Sequence, residues 1–217
     1  MLHNRSSPSE RTDTTYKESE TTAHKSAMQI RALDIPDVKV VTPKIFRDDR
    51  GFFCETFNAS AWEDNGLKYT FVQDNHVLSR SSGVLRGLHF QLPPSAQGKL
   101  VRVARGSILD VAVDIRHGSP TFGQHVARVL SAKNWEQFWV PVGFAHGYCT
   151  LEPDTEVIYK VTNFYDPANE RGIQFDDPEL GIDWTIPRER AQLSNKDLEN
   201  APLSEHPVYF TYAESKV

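Results

Sequence analysis

In Val84-Leu85-Arg86-Gly87-Leu88-His89-Phe90-Gln91 an apolar, strand-like run carries one guanidinium and one imidazole. Placing titratable groups in a run made for burial costs desolvation, so both are expected to face a cleft. An imidazole outside a metal site is a ready general base, because its ordinary pKa of about 6.5 lies near working pH. Lys99 and Arg102 lie on the next predicted strand, and cations beside a base suit an anionic intermediate or a phosphate. Tyr159 stands in the alternating run Thr155–Val161, from which a phenol could return a proton on the opposite side of a bound ring. Asp197 could orient His89 and stabilise it as an imidazolium. Each also has a plain structural reading: His89 as a hydrogen-bonded core histidine, Tyr159 as strand packing, Asp197 as the close of a capping box begun by Ser194. Alternation puts Arg86 and His89 on opposite faces, so a shared pocket requires Gly87 to bend or bulge the strand.

A second imidazole, His146, ends the segment Pro141-Val142-Gly143-Phe144-Ala145-His146. Together the two segments resemble those of a cupin-type barrel. Metal-binding cupins use a His-x-His pair with a following Glu, and a histidine from a later Pro-x-Gly-x-x-His segment, because a divalent ion needs three or four converging ligands. Here the later segment is intact, but Gln91 and the Pro93-Pro94 turn add no imidazole or carboxylate to His89. The expectation is acid–base chemistry without a metal or other cofactor. The charged stretch Phe46-Arg47-Asp48-Asp49-Arg50-Gly51-Phe52-Phe53-Cys54-Glu55 reads either as a solvated turn or as a place where Arg50 meets a diphosphate and Glu55 a base or ribose.

These side chains must be held by strands. Strand signals run over Val38–Val41, Phe52–Phe57, Tyr69–Leu78, Val84–Phe90, Leu100–Val103, Ile108–Ile115, His125–Leu130, Phe138–Val140 and Thr155–Val161, with Gly- and Pro-marked turns between them. Many short strands favour an all-β sandwich, jelly roll or barrel over α/β. One short helix is predicted between Ser60, as cap, and Gly66, and a second starts at Ser194.

The chain has 217 residues, 39% of them apolar, which fits one domain with a full core over 28–217. Residues 1–27 are almost wholly polar, so a disordered tail is expected there. A net charge of −5 argues against nucleic-acid binding or membrane-surface binding as a global property. No apolar run reaches the ~20 residues of a membrane span, and the start lacks a signal peptide's apolar stretch. Cys54 and Cys149 are far apart and read as free buried thiols in a reducing, cytoplasmic setting.

Taken in order, Phe46–Glu55, Phe71–His76, Val84–Gln91, Gln97–Arg102, Asp110–Arg116, Ser119–Gly123 and Pro141–Gly147 resemble the dTDP-4-dehydrorhamnose 3,5-epimerase family over about Met28 to Leu203. The resemblance implies a metal-free cupin jelly roll with a few short peripheral helices, usually a homodimer. Its implied activity is conversion of dTDP-4-keto-6-deoxy-D-glucose to dTDP-4-keto-L-rhamnose in dTDP-L-rhamnose biosynthesis. It implies that His89 is the base, Asp197 its partner and Tyr159 the proton donor, while Lys99 and Arg86 stabilise enolate or sugar oxygens. By the same resemblance Arg50, Glu55, Gln73, Asn75, His146, Glu170 and Lys196 bind substrate and Tyr165 stacks on thymine. Phe46 and the Arg50 hairpin would reach the neighbouring subunit's site. Phe164 departs from the pattern, standing where a tyrosine is common. Related 3-only and 5-only epimerases, a metal-dependent cupin and a non-catalytic sugar-nucleotide binder are the alternatives.

Overall fold

In the computed structural model residues 28–213 are described; the polar tail expected over 1–27 lies outside them. Gln29–Ala32 (β1) pairs with Lys39–Thr42 (β2), and Ile45–Asp48 (β3) forms a separate hairpin with Gly51–Cys54 (β4). A helix, Ala59–Asp64 (α1), leads to Gln73–Ser79 (β5), Leu85–Gln91 (β6), Lys99–Arg105 (β7) and Ser107–Asp114 (β8). Arg116–His117 (β9), His125–Ser131 (β10), Gln137–Val140 (β11), Phe144–Thr150 (β12), Thr155–Val161 (β13) and Glu170–Gly172 (β14) follow. The short helix Asn195–Leu198 (α2) and the strand Phe210–Thr211 (β15) come last.

Two antiparallel sheets carry the molecule, in the orders β1-β2-β11-β7-β13-β5 and β10-β8-β12-β6-β14. Val40, Val101, Phe138 and Val157 from the first sheet share one core with Ile108, Ala112, Val126 and Leu130 from the second. This is an all-β jelly roll of the cupin type, with short peripheral helices. Each sheet is also covered outside. Trp62 of α1 packs on Val41, Leu100 and Trp139, while Ile173, Phe175, Leu180 and Trp184 cover Leu85, Leu109, Val111 and Val113. Burying such a side chain contributes about 1.5–3 kcal/mol. With both faces covered, every residue of β8 is buried, which explains its nearly continuous apolar run. No helix among the described residues is long and apolar enough to cross a membrane.

Several local expectations change. Asn58, not Ser60, caps α1, its side chain accepting from the Ala61 amide at 3.1 Å. Gly66 follows the helix at φ +78°, as its stop signal implies. The strand expected over Tyr69–Leu78 begins only at Gln73, and the one over Phe52–Phe57 ends at Cys54. Cys149 is buried, but Cys54 is only half-buried. Arg86 and Lys99 lie on facing sheets rather than neighbouring strands, and Arg102 borders a separate recess with Trp135 and Glu136.

Candidate active site

The alternation problem on β6 is solved at Gly87. His89 pairs with His146 and Arg86 with Tyr148, so four residues of β6 oppose three of β12. This one-residue bulge turns both Arg86 and His89 into one cavity. Gly87 has φ +119°, and a methyl there would lie 2.6 Å from the Gly147 Cα and 2.7 Å from the His146 carbonyl oxygen. Only glycine fits this close crossing of two backbones.

The cavity is about 490 Å³ and opens beside a second of about 270 Å³. Arg86, His146, Lys196 and Asp197 line the larger one, and Gln73, Asn75, Tyr165 and Glu170 the smaller. His89, Lys99 and Tyr159 line both and form the shared wall. Tyr159 comes from β13 in the six-stranded sheet and His89 from β6 in the five-stranded one, so imidazole and phenol approach from opposite sheets.

His89 Nε2 lies 2.5 Å from Asp197 Oδ1. The carboxylate is fixed from its other side: Ser194 Oγ donates to Asp197 Oδ2 at 2.9 Å and accepts from the Asp197 amide at 3.2 Å. The two separate readings of Asp197 in the sequence are met by different groups of one residue: its backbone amide is capped by Ser194 and its carboxylate pairs with His89. Burial raises the Asp197 pKa, but the hydrogen bond and charge of His89 outweigh it and hold the carboxyl below its ordinary value. Burial lowers the ammonium of Lys99 to about 8, against the pull of Glu170 and Asp110. Its Nζ lies 3.4 Å from the His89 carbonyl oxygen. Burial likewise raises the Tyr159 phenol, which keeps its proton at neutral pH.

Around the smaller cavity, Gln73 Nε2 donates to Asn75 Oδ1 at 2.9 Å, and Gln73 Oε1 accepts from the Tyr165 amide at 3.1 Å. Tyr165 donates to Glu170 Oε2 at 2.7 Å, and Lys196 pairs with the same oxygen. For Glu170, burial's upward push yields to the Lys196 and Tyr165 hydrogen bonds, leaving a carboxyl below its ordinary value. The Tyr165 ring stays largely exposed, available for stacking.

His146 makes its own pair with Asp110, at 2.6 Å, in a nearly sealed position. Each imidazole is therefore committed to one carboxylate, and no three His, Cys, Asp or Glu side chains among the described residues converge as a metal site. These residues do not fit the metal of metal-binding cupins.

The sequence profile described as dTDP-4-dehydrorhamnose 3,5-epimerase matches residues 32–205. The chain belongs to this epimerase family. It is 52% identical to the dTDP-4-dehydrorhamnose 3,5-epimerase of Shigella flexneri over 172 residues, covering 79% of this chain and 93% of that one. It is 51% identical to the Pseudomonas aeruginosa enzyme of the same name, over 82% of this chain and 97% of the other. Among solved structures, the Legionella pneumophila dTDP-6-deoxy-D-glucose-3,5-epimerase in complex with dTDP-4-keto-L-rhamnose superposes with a TM-score of 0.82 at 46% identity. The match covers 86% of this chain and 99% of that chain.

Within this epimerase chain, Phe46, Arg50 and Glu55 stand apart from both cavities. Phe46 and Arg50 border a recess of the β3–β4 hairpin itself, where Arg50 donates to Asp48 at 2.6 Å. Two residues of the site had no role in the sequence reading, Asp110 and Tyr148, and Ser194 was read only as a helix cap. Asp110 had a signal, as a carboxylate inside the apolar run of β8. Tyr148 had none, since a strand tyrosine reads as packing.

Proposed function

We propose that this chain inverts carbons 3 and 5 of dTDP-4-keto-6-deoxy-D-glucose to give dTDP-4-keto-L-rhamnose, as a step of dTDP-L-rhamnose biosynthesis. The C4 ketone acidifies the hydrogens on both neighbouring carbons. His89 takes such a proton, the C–H electron pair moves into the ring, and the carbonyl oxygen becomes an enolate. Forming that anion is the high-energy step, and the Lys99 ammonium offsets its charge in a site of low dielectric. Asp197 holds the imidazole in orientation and balances it once protonated. Tyr159 returns a proton to carbon from the opposite face, restoring the ketone with inverted configuration. The observation that carries this reading is the His89–Asp197 pair at 2.5 Å on a cavity wall shared with Tyr159 from the facing sheet.

Gln73, Asn75, Arg86, His146, Glu170 and Lys196 bind the substrate in this reading, and Tyr165 stacks on thymine. The catalytic unit is a single domain from residue 28 onward, working in the cytoplasm as a homodimer. Two features support the dimer. The β3–β4 hairpin exposes Phe46, Phe52 and Phe53 at 47%, 59% and 67%, an apolar surface suited to a second copy. Its Phe46 and Arg50, with the nearby Glu55, line neither of the two joined cavities and are assigned to the neighbour's.

Incubation with the 4-keto-6-deoxyglucose nucleotide in deuterated water, followed by NMR, tests the activity. Deuterium is expected at both carbons 3 and 5. Label at one carbon alone would make the enzyme a single epimerase, and no label at all would leave only a binding protein. A solution mass equal to one chain would remove the dimer.

A further inference from the structure

Tyr148 is a second phenol on the larger cavity, and the chemistry above makes no use of it. It sits on β12 at the end of the β6 bulge, opposite Arg86 on one side and opposite Asp110 of β8 on the other. Its ring belongs to the core between the sheets, with Val101, Ile108 and Val157, and only 4% of the residue is exposed. Phenylalanine would fill that space as well. The hydroxyl is therefore what needs explaining. Among the described residues its proton is buried with no acceptor, only the Arg86 guanidinium acting on its oxygen, and Asp110 Oδ2 across the strand pair is also unpaired, so the two do not satisfy each other. Buried polar groups are nearly always paired, and an orphan on a cavity wall points to a group that enters the cavity.

Burial raises the Tyr148 phenol against the influence of Arg86, so it carries its proton at neutral pH. A guanidinium accepts no hydrogen bond, so Arg86 leaves that proton unclaimed. We propose that the Tyr148 hydroxyl donates a hydrogen bond to an oxygen of the nucleotide sugar bound beside Arg86, and so helps set the ring between His89 and Tyr159. This inference rests on the epimerase reading and makes Tyr148 a positioning residue, which exchanges no proton with carbon.

Tyr148→Phe removes the oxygen and keeps the ring. In the full chain without ligand, its melting temperature is expected to stay unchanged or rise, because a buried orphan has been deleted. The KM for the keto-sugar is expected to rise about 3- to 10-fold, as for loss of one neutral hydrogen bond. Titration with dTDP alone distinguishes the acceptor: weakened dTDP binding assigns a phosphate oxygen, and unchanged dTDP binding with a raised KM assigns a sugar oxygen. Wild-type KM, kcat and dTDP affinity in the variant would overturn the inference. So would a lower ligand-free melting temperature with unchanged KM, which would make the hydroxyl part of the fold through a buried water. Wild-type protein that exchanges no deuterium would defeat the epimerase reading instead, and the dTDP titration would then judge Tyr148 by itself.

Discussion

Two histidine–carboxylate pairs stand on adjacent strands of one sheet, with His89 and His146 directly opposite in register. Their bonds are nearly the same length, 2.5 Å to Asp197 and 2.6 Å to Asp110. Their surroundings differ. The His89 side chain is 24% exposed and faces both cavities, whereas that of His146 is 8% exposed and its partner Asp110 is sealed. Asp197 has both oxygens engaged, by His89 and Ser194, while Asp110 Oδ2 has no partner among the described residues. Burial lowers the pKa of His146 despite the attraction of Asp110, so it resists becoming a cation. Residue type and distance are thus the same in both pairs. In the proposed reaction, access and the completeness of the carboxylate's own bonding suit one to be the base and leave the other as part of the wall.

Breaking the two pairs in turn gives the widest contrast. His89→Ala is expected to lower kcat by about a thousandfold, within the range of general-base catalysis, and to abolish deuterium incorporation. His146→Asn is expected to raise KM more than it lowers kcat; an equal collapse of kcat in both variants would erase the distinction. Next in size, Asp197→Asn should cost about a hundredfold or more in kcat by misorienting the imidazole, with Asp110→Asn falling well short of it in the same assay. Tyr159→Phe is expected to slow net inversion by about a hundredfold while proton abstraction persists. The ratio of deuterium exchange in recovered substrate to product formed then rises, and a ratio like that of wild type would remove Tyr159 as the donor.

The smallest effect is that of pH. Burial depresses the Lys99 ammonium, so it is charged below about 8 and neutral above. Enolate stabilisation is present on the acid side of that value and lost on the alkaline side, so kcat should decline several-fold between pH 8 and 9, roughly as the protonated fraction of one group falls. In Lys99→Arg that alkaline limb should vanish, because a guanidinium keeps its charge. A limb that survives the substitution belongs to another group.

Much of this contrast was legible in the sequence, for a physical reason. His89 and Arg86 stood out because an apolar run makes charge conspicuous, and Gly87 because period-two alternation failed there. Asp197 was ambiguous because its two bonds, to Ser194 and to His89, are a local and a long-range use of one carboxylate. The segment of β12 was read as a motif at His146 but not as a strand, since Gly147 and His146 interrupt its apolar character and only the facing β6 explains them. Short polar strands such as β14 gave no periodic signal, being three residues long. The cap of α1 was placed two residues late because Ser60 and Asn58 are both good caps, and local sequence does not choose between them. The division of the cleft into two cavities was invisible, because it depends on which sheet each strand joins.

The partner of His89 lies 108 residues along the chain, on a short helix beyond the strands of both sheets. Order of synthesis then separates two properties that the finished molecule presents together. Chains emerge from the ribosome at about 5–20 residues per second, and their early segments begin to fold first. Gly172 ends the last strand of the two sheets, so all of their strands have been translated before Ser194 and Asp197. Within each round of translation the wall that carries His89 is made first, and its carboxylate comes afterwards.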